Sequence, residues 1–206
     1  MTIREKTDKT ATPASVPDGP AAAAPTPVPL PSRSKEADSS PGPGSAVKGD
    51  GFSKPKLRLK IHDLDHPGAH KFLGAVNPST VLSTAVNNVL RLLYRSPSDP
   101  DTTVPPTRSV TLILRDMDGV AYTTGTSLDN DHKEIHFSLR YINAIHPPSR
   151  LTAEITGVLT HEVVHCYQWN ALHTCPRGLI EGVADWVRLN CNLSPPHWKR
   201  DTKGGT

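Results

Sequence analysis

A break in composition near residue 55 constrains this chain more than any other feature. Ten of its 21 prolines fall in the first 55 residues, with an alanine run at Ala22–Ala24, Ser and Gly clusters, and no aromatic residue but Phe52. Such a segment cannot bury enough apolar surface to offset the entropy of ordering it. Residues 1–54 are therefore expected to form a disordered tail, and 55–206 one domain of ordinary size. The tail also accounts for a hydrophobic content of only 35% over the whole chain.

Charge and hydropathy remove several classes of function. The net charge is +3, with acids and bases interspersed, and no basic stripe with interleaved aromatics points to nucleic acid. No run of about 18 apolar residues is present, so no membrane span is expected. The start, Met1 to Asp8, is polar and charged with no apolar stretch behind it. That lacks the pattern of a secretory signal and favours a cytoplasmic location. Cys166, Cys175 and Cys191 are too few for a disulfide framework.

Periodicity supplies the elements. Leu57, Leu59 and Ile61 alternate with polar residues from Lys56 to Asp63, the pattern of a strand with one buried face. Asn77-Pro78 offers a cap and a first-turn proline. Val81, Leu82, Ala85, Val86, Val89 and Leu90 then recur at three and four, predicting a helix to about Tyr94. A loop follows from Ser96 to Pro106. Val110–Leu114 reads as a buried strand closing at the turn Arg115–Gly119, and Val120–Thr124 and Glu134–Tyr141 as two more, with a turn at Asn130-Asp131. On the last strand Ile135, Phe137 and Leu139 share one face. Leu151–Asn170 and Leu179–Cys191 are helical by period. The predicted class is α+β: a small mixed sheet packed on a helix that carries the site, followed by a second helix that adds a ligand.

The chemistry lies on those last two helices. His161-Glu162-Val163-Val164-His165 places two imidazoles one helical turn apart, so both can reach one ion. Catalytic zinc takes three protein ligands and keeps a position open. Glu181, at the start of the next helix after the turn Pro176–Gly178, is the expected third. Asp185, one turn further, is placed to accept the outer N–H of a ligating histidine. Glu162 is the expected general base, taking a proton from water whose pKa zinc brings to about 7. The implied reaction is hydrolysis of a peptide bond in a peptide or protein substrate. The edge of the strand from Lys133 to Tyr141 is a candidate for holding that peptide by β-addition.

Other reactive or bulky side chains are assigned to structure. Trp169, Trp186 and Tyr167 are expected in the core. His136, His146 and His173 are read as surface or loop histidines, His173 being close enough in sequence to line a cleft. Cys166 and Cys175 could pair or bind zinc, but with His161, His165 and Glu181 available they are expected to be thiols.

The stretch from Gly157 through His161-Glu-Val-Val-His165 to Asn170, with Cys175-Pro-Arg-Gly-Leu-Ile-Glu-Gly-Val-Ala-Asp-Trp-Val-Arg-Leu189, closely resembles the basic secretory proteins of plants and fungi, zinc metallopeptidases of the zincin type. The resemblance extends weakly upstream to about Lys56. It implies a zincin-like fold, zinc on His161, His165 and Glu181, Glu162 as base, and Asp185 beside the ligands. Plant members are secreted, unlike the expectation from this N-terminus. Family domains continue beyond the region of Ser194–Arg200 into further helices, so the chain is expected to lack C-terminal helices. The competing reading is an inactive or weakly active zinc-binding interaction module of the same fold.

Overall fold

The computed structural model describes residues 51–172 and 174–198. The expected tail lies outside the described residues except for its last four positions, as does His173. Four strands form one mixed sheet, ordered β1 (Lys56–Ile61), β2 (Ser109–Arg115), β4 (His132–Ser138), β3 (Ala121–Gly125). The first three are mutually parallel and β3 runs antiparallel to β4. Among the described residues the sheet is joined by five α-helices: α1 (Pro67–Ala75), α2 (Pro78–Leu93), α3 (Leu139–Ala144), α4 (Leu151–Tyr167) and α5 (Arg177–Asn190). The class is α+β. No helix among the described residues is long and apolar enough to cross a membrane.

One sheet face supplies the core. Leu112 is paired with Ile135 and Leu114 with Phe137, and all four are fully buried. Leu82, Ala85, Val86 and Val89 of α2 and Ile155, Leu159, Val163 and Val164 of α4 join the same apolar cluster. These are the three-and-four repeats of two adjacent helices, so α4 is held between the sheet, α2 and α5. α2 starts as its sequence predicts: Asn77 Oδ1 accepts from Thr80 N at 3.0 Å, with Pro78 in the first turn.

Four departures from the sequence reading have local causes. β1 is an edge strand and buries little, Leu59 being 37% exposed. α1 has few apolar positions to announce it and is capped by His66 Nδ1, which accepts from Gly68 N at 2.9 Å. The strand predicted to run to Tyr141 ends at Ser138, whose Oγ accepts from Tyr141 N at 3.1 Å and so caps α3. Leu139 is buried as expected, but as the first residue of a helix. Finally, β4 is flanked by β2 and β3 and cannot be the edge that takes a peptide. On that side of the sheet the edge belongs to β3, as the opposite one belongs to β1.

The register of that hairpin tells which β3 groups are free. Ser138 N bonds to Val120 O and Thr126 N to His132 O, so residues 120, 122, 124 and 126 direct their backbone groups at β4. Ala121, Thr123 and Gly125 direct theirs away from it. The turn before β3 uses Gly119 at φ 80°, a conformation that favours glycine. The turn after β3 is closed by Asp129, whose Oδ1 accepts from Asp131 N and His132 N.

Candidate metal and active site

Helices α4 and α5 meet antiparallel along a ladder of polar pairs. Glu154 meets Arg188, His161 meets Asp185, and His161 and His165 meet Glu181. On α4 these residues are spaced at seven and four, and on α5 at four and three, so each helix gives one stripe to the interface. Around this ladder lies a cleft of about 670 Å³, walled by Val120 and the first residues of β3 to Thr123, by α4 and α5, and by Pro195, His197 and Trp198.

His161, His165 and Glu181 converge. One donor atom from each lies within 4.8 Å of the others, forming a group that could hold a metal ion. His161 Nε2 is 3.2 Å and His165 Nε2 3.7 Å from Glu181 Oε2. The outer nitrogens have their own partners: His161 Nδ1 meets Asp185 Oδ1 at 3.0 Å, and His165 Nδ1 meets Gln168 Oε1 at 3.1 Å. The Gln168 amide is oriented by its other end, Nε2 donating to Ile180 O at 2.9 Å. With an acceptor at each Nδ1, a proton held there would leave the Nε2 lone pairs facing Glu181 and free for a metal.

Glu162 faces the cleft from the β3 side. Its Oε2 accepts from the Thr123 hydroxyl at 2.7 Å, and its side chain is almost entirely buried. Burial pushes its carboxyl above the usual carboxylate range. The Thr123 hydrogen bond and the nearby His165 oppose that shift, and the Glu181 charge adds to it.

Every residue singled out for the site from the sequence is therefore in this cleft. Thr123, Gln168, Tyr141, Glu154 and Arg188 were not. Glu154 and Arg188 continue the helical spacing of His161 and Asp185, a signal present in the sequence, whereas Thr123 and Tyr141 come from other elements and left none. Tyr141 OH donates to Glu154 Oε1 at 2.9 Å, and burial with that contact pushes its phenol up to about 12.

Three structural assignments change. Trp169 is 57% and Trp186 48% exposed; the buried positions of α5 are Ala184, Val187 and Arg188, and Trp169 lies in the loop after α4. Tyr167 is buried as expected. His136 is buried rather than superficial: the Tyr122 ring stacks over it with centroids 4.6 Å apart, and its Nε2 is 3.3 Å from Glu134 Oε2. His146 is exposed, and all three cysteines are free thiols.

A family model described as a peptidase of plants and bacteria matches residues 54–206. Neither the curated proteins nor the solved structures gave a match.

Proposed function

The chain belongs to the BSP family, the peptidases of plants and bacteria, and from that premise we propose that it is a zinc-dependent metallopeptidase of zincin-like architecture that hydrolyses peptide bonds. The convergence of two Nε2 atoms and one carboxylate oxygen carries this reading. Nitrogen and oxygen ligands lie about 2.0–2.2 Å from tetrahedral zinc, which separates them by roughly 3.3–3.5 Å. The 3.2 and 3.7 Å contacts to Glu181 are close to that spacing. Two imidazoles and a carboxylate are also a donor set that zinc accepts with one position left open.

His161, His165 and Glu181 would hold the ion, with Asp185 and Gln168 fixing the two rings. Zinc so held would polarise a carbonyl and make water acidic enough to lose a proton near neutral pH. Glu162 would serve as the base for that proton, and its raised affinity for protons would suit delivery to the leaving amine. Thr123 aims the carboxylate by its hydroxyl.

The substrate class follows from the walls. The free edge of β3 lines the cleft around Glu181 through Ala121 and Thr123 and continues through Thr123–Gly125 into an adjoining cavity of about 850 Å³. An extended peptide can add to such an edge and pass Glu162 at Thr123. The test is metal analysis and peptide cleavage together. One zinc per chain, lost in His161→Ala, and cleavage abolished in Glu162→Gln with zinc retained are the expected results. Cleavage by Glu162→Gln at the wild-type rate would refute the mechanism. Zinc without cleavage by the wild type would leave only a binding module.

A further inference from the structure

The ladder between α4 and α5 has a third rung that the proposed hydrolysis does not use. Arg188 is 7% exposed, donates through Nε to Leu193 O at 2.8 Å and through Nη2 to Glu154 Oε1 at 3.2 Å, and lies 5.7 Å from the Trp198 ring centre. Its path crosses α4 at Gly157, where a Cβ would stand 2.6 Å from Nε. A guanidinium threaded through a helix contact in this way is fixed in place.

Its charge is not fully matched. Glu154 is the only carboxylate within ion-pair distance of Arg188 among the described residues, and its other oxygen is 3.5 Å from Arg150 Nη2. One carboxylate thus serves two guanidiniums. Asp185, one turn away on α5, is engaged with His161 instead. Among the described residues no acceptor meets Arg188 Nη1, yet that atom is not one of the sealed, partnerless polar atoms. Since Arg188 lines the cleft with Tyr141, His197 and Trp198, the unused edge of the fork opens into it.

We propose that this edge of Arg188 is a subsite for a carboxylate of the peptide substrate, about three residues from the bond that is cut. Seven residues of α4 separate Glu154 from His161, about 10 Å at the helical rise. An extended peptide covers about 3.3 Å per residue. The group bound is planar and anionic, matching the fork of an arginine in low dielectric. It is supplied by the C-terminus of the peptide or by an Asp or Glu side chain. The proposal rests on the peptidase reading for the kind of ligand, and its test is separable from catalysis.

The protein for the test is zinc-loaded Glu162→Gln, which binds without cutting, and the readout is calorimetric affinity. The probes are N-acetyl-hexa-alanine as free acid and as amide, and the amide carrying Glu or Gln at each position in turn. A carboxylate is expected to tighten binding about tenfold over its neutral twin, from a charge-assisted pair in a desolvated wall. The acid–amide pair reports a terminal carboxylate and the Glu–Gln pairs a side chain. Adding Arg188→Gln should erase the preference while zinc content and helicity remain. If that variant does not fold, Arg188→Lys, which keeps charge but not the fork, should weaken the preference severalfold. Equal affinity for charged and neutral twins, or a preference that survives a folded Arg188→Gln, overturns the subsite. Carboxylate preference in a protein whose wild type cuts no peptide would sink the peptidase reading and leave the subsite standing.

Discussion

Replacing Gly157 by alanine should destabilise the protein, although the same change in most helix interiors does the opposite. Alanine is favoured over glycine in a helix by about 1 kcal/mol. Against this, the new Cβ would lie 2.6 Å from Arg188 Nε, 2.8 Å from Nη2 and 2.9 Å from Cζ. Arg188 cannot swing away cheaply, because it is buried and tied to both Leu193 O and Glu154. Moving it stretches those bonds and leaves Glu154 less well paired. Full loss of one partner of a buried ion pair costs about 3–5 kcal/mol, and overpacking alone about 1–3 kcal/mol. The net is a loss of about 1–2 kcal/mol, or about 2–8 °C in Tm for a domain of this size. Gly182 is the control: it lies in α5, and a Cβ added there would meet nothing within 4 Å, so Gly182→Ala should gain up to about 1 kcal/mol. Urea unfolding of both variants, with zinc removed by chelation, measures the difference. A Gly157→Ala protein as stable as wild type would show that Arg188 is not held against α4 and would undercut the subsite proposed for it.

Other consequences follow from the same contacts. Asp185→Ala removes the acceptor on His161 Nδ1 and should weaken zinc binding about 10–100-fold, read by competition with a chromophoric chelator. Thr123→Val removes the hydrogen bond that lowers the Glu162 carboxyl pKa. The acid limb of the pH–rate profile should therefore move to higher pH, and an unmoved limb would mean that Glu162 is not the group titrating. In metal-free protein the raised Glu162 pKa means that the folded state holds its proton more tightly than the unfolded state. Stability should then fall as pH rises from about 4.5, the ordinary value, to the raised one. Glu162→Gln should flatten that slope, as urea midpoints across pH 4–8 would record.

Much of this architecture could be read from the chain because it is local. The three-and-four spacing of α2, α4 and α5, the Asn77-Pro78 cap, the short β-branched run of β2 and the shared face of Ile135 and Phe137 in β4 are properties of neighbouring residues, and the structure has those elements within a few positions. The misreadings fall where a distant partner outweighs local pattern. At Ser138 a strand pattern yields to a helix because the hydroxyl that caps α3 is also anchored on Met117 O at 2.6 Å. Trp186 looks like a core residue by type, but the buried positions of α5 are Ala184, Val187 and Arg188, and Trp186 is left outside them.

The sequence by itself determined the reacting groups: an α-helix must put His161 and His165 on one side, and Glu181, Asp185 and Arg188 on one side of the next. Tertiary structure alone decided how those two stripes face each other. It gave each imidazole Nδ1 an acceptor and turned both Nε2 atoms toward Glu181, gave Glu162 its partner from β3, and made β3 rather than β4 an edge of the sheet. It also brought Arg188 across Gly157 into the cleft. Helical period is fixed by backbone geometry within a few residues, whereas these pairings depend on how elements far apart in the chain pack, which no local spacing encodes.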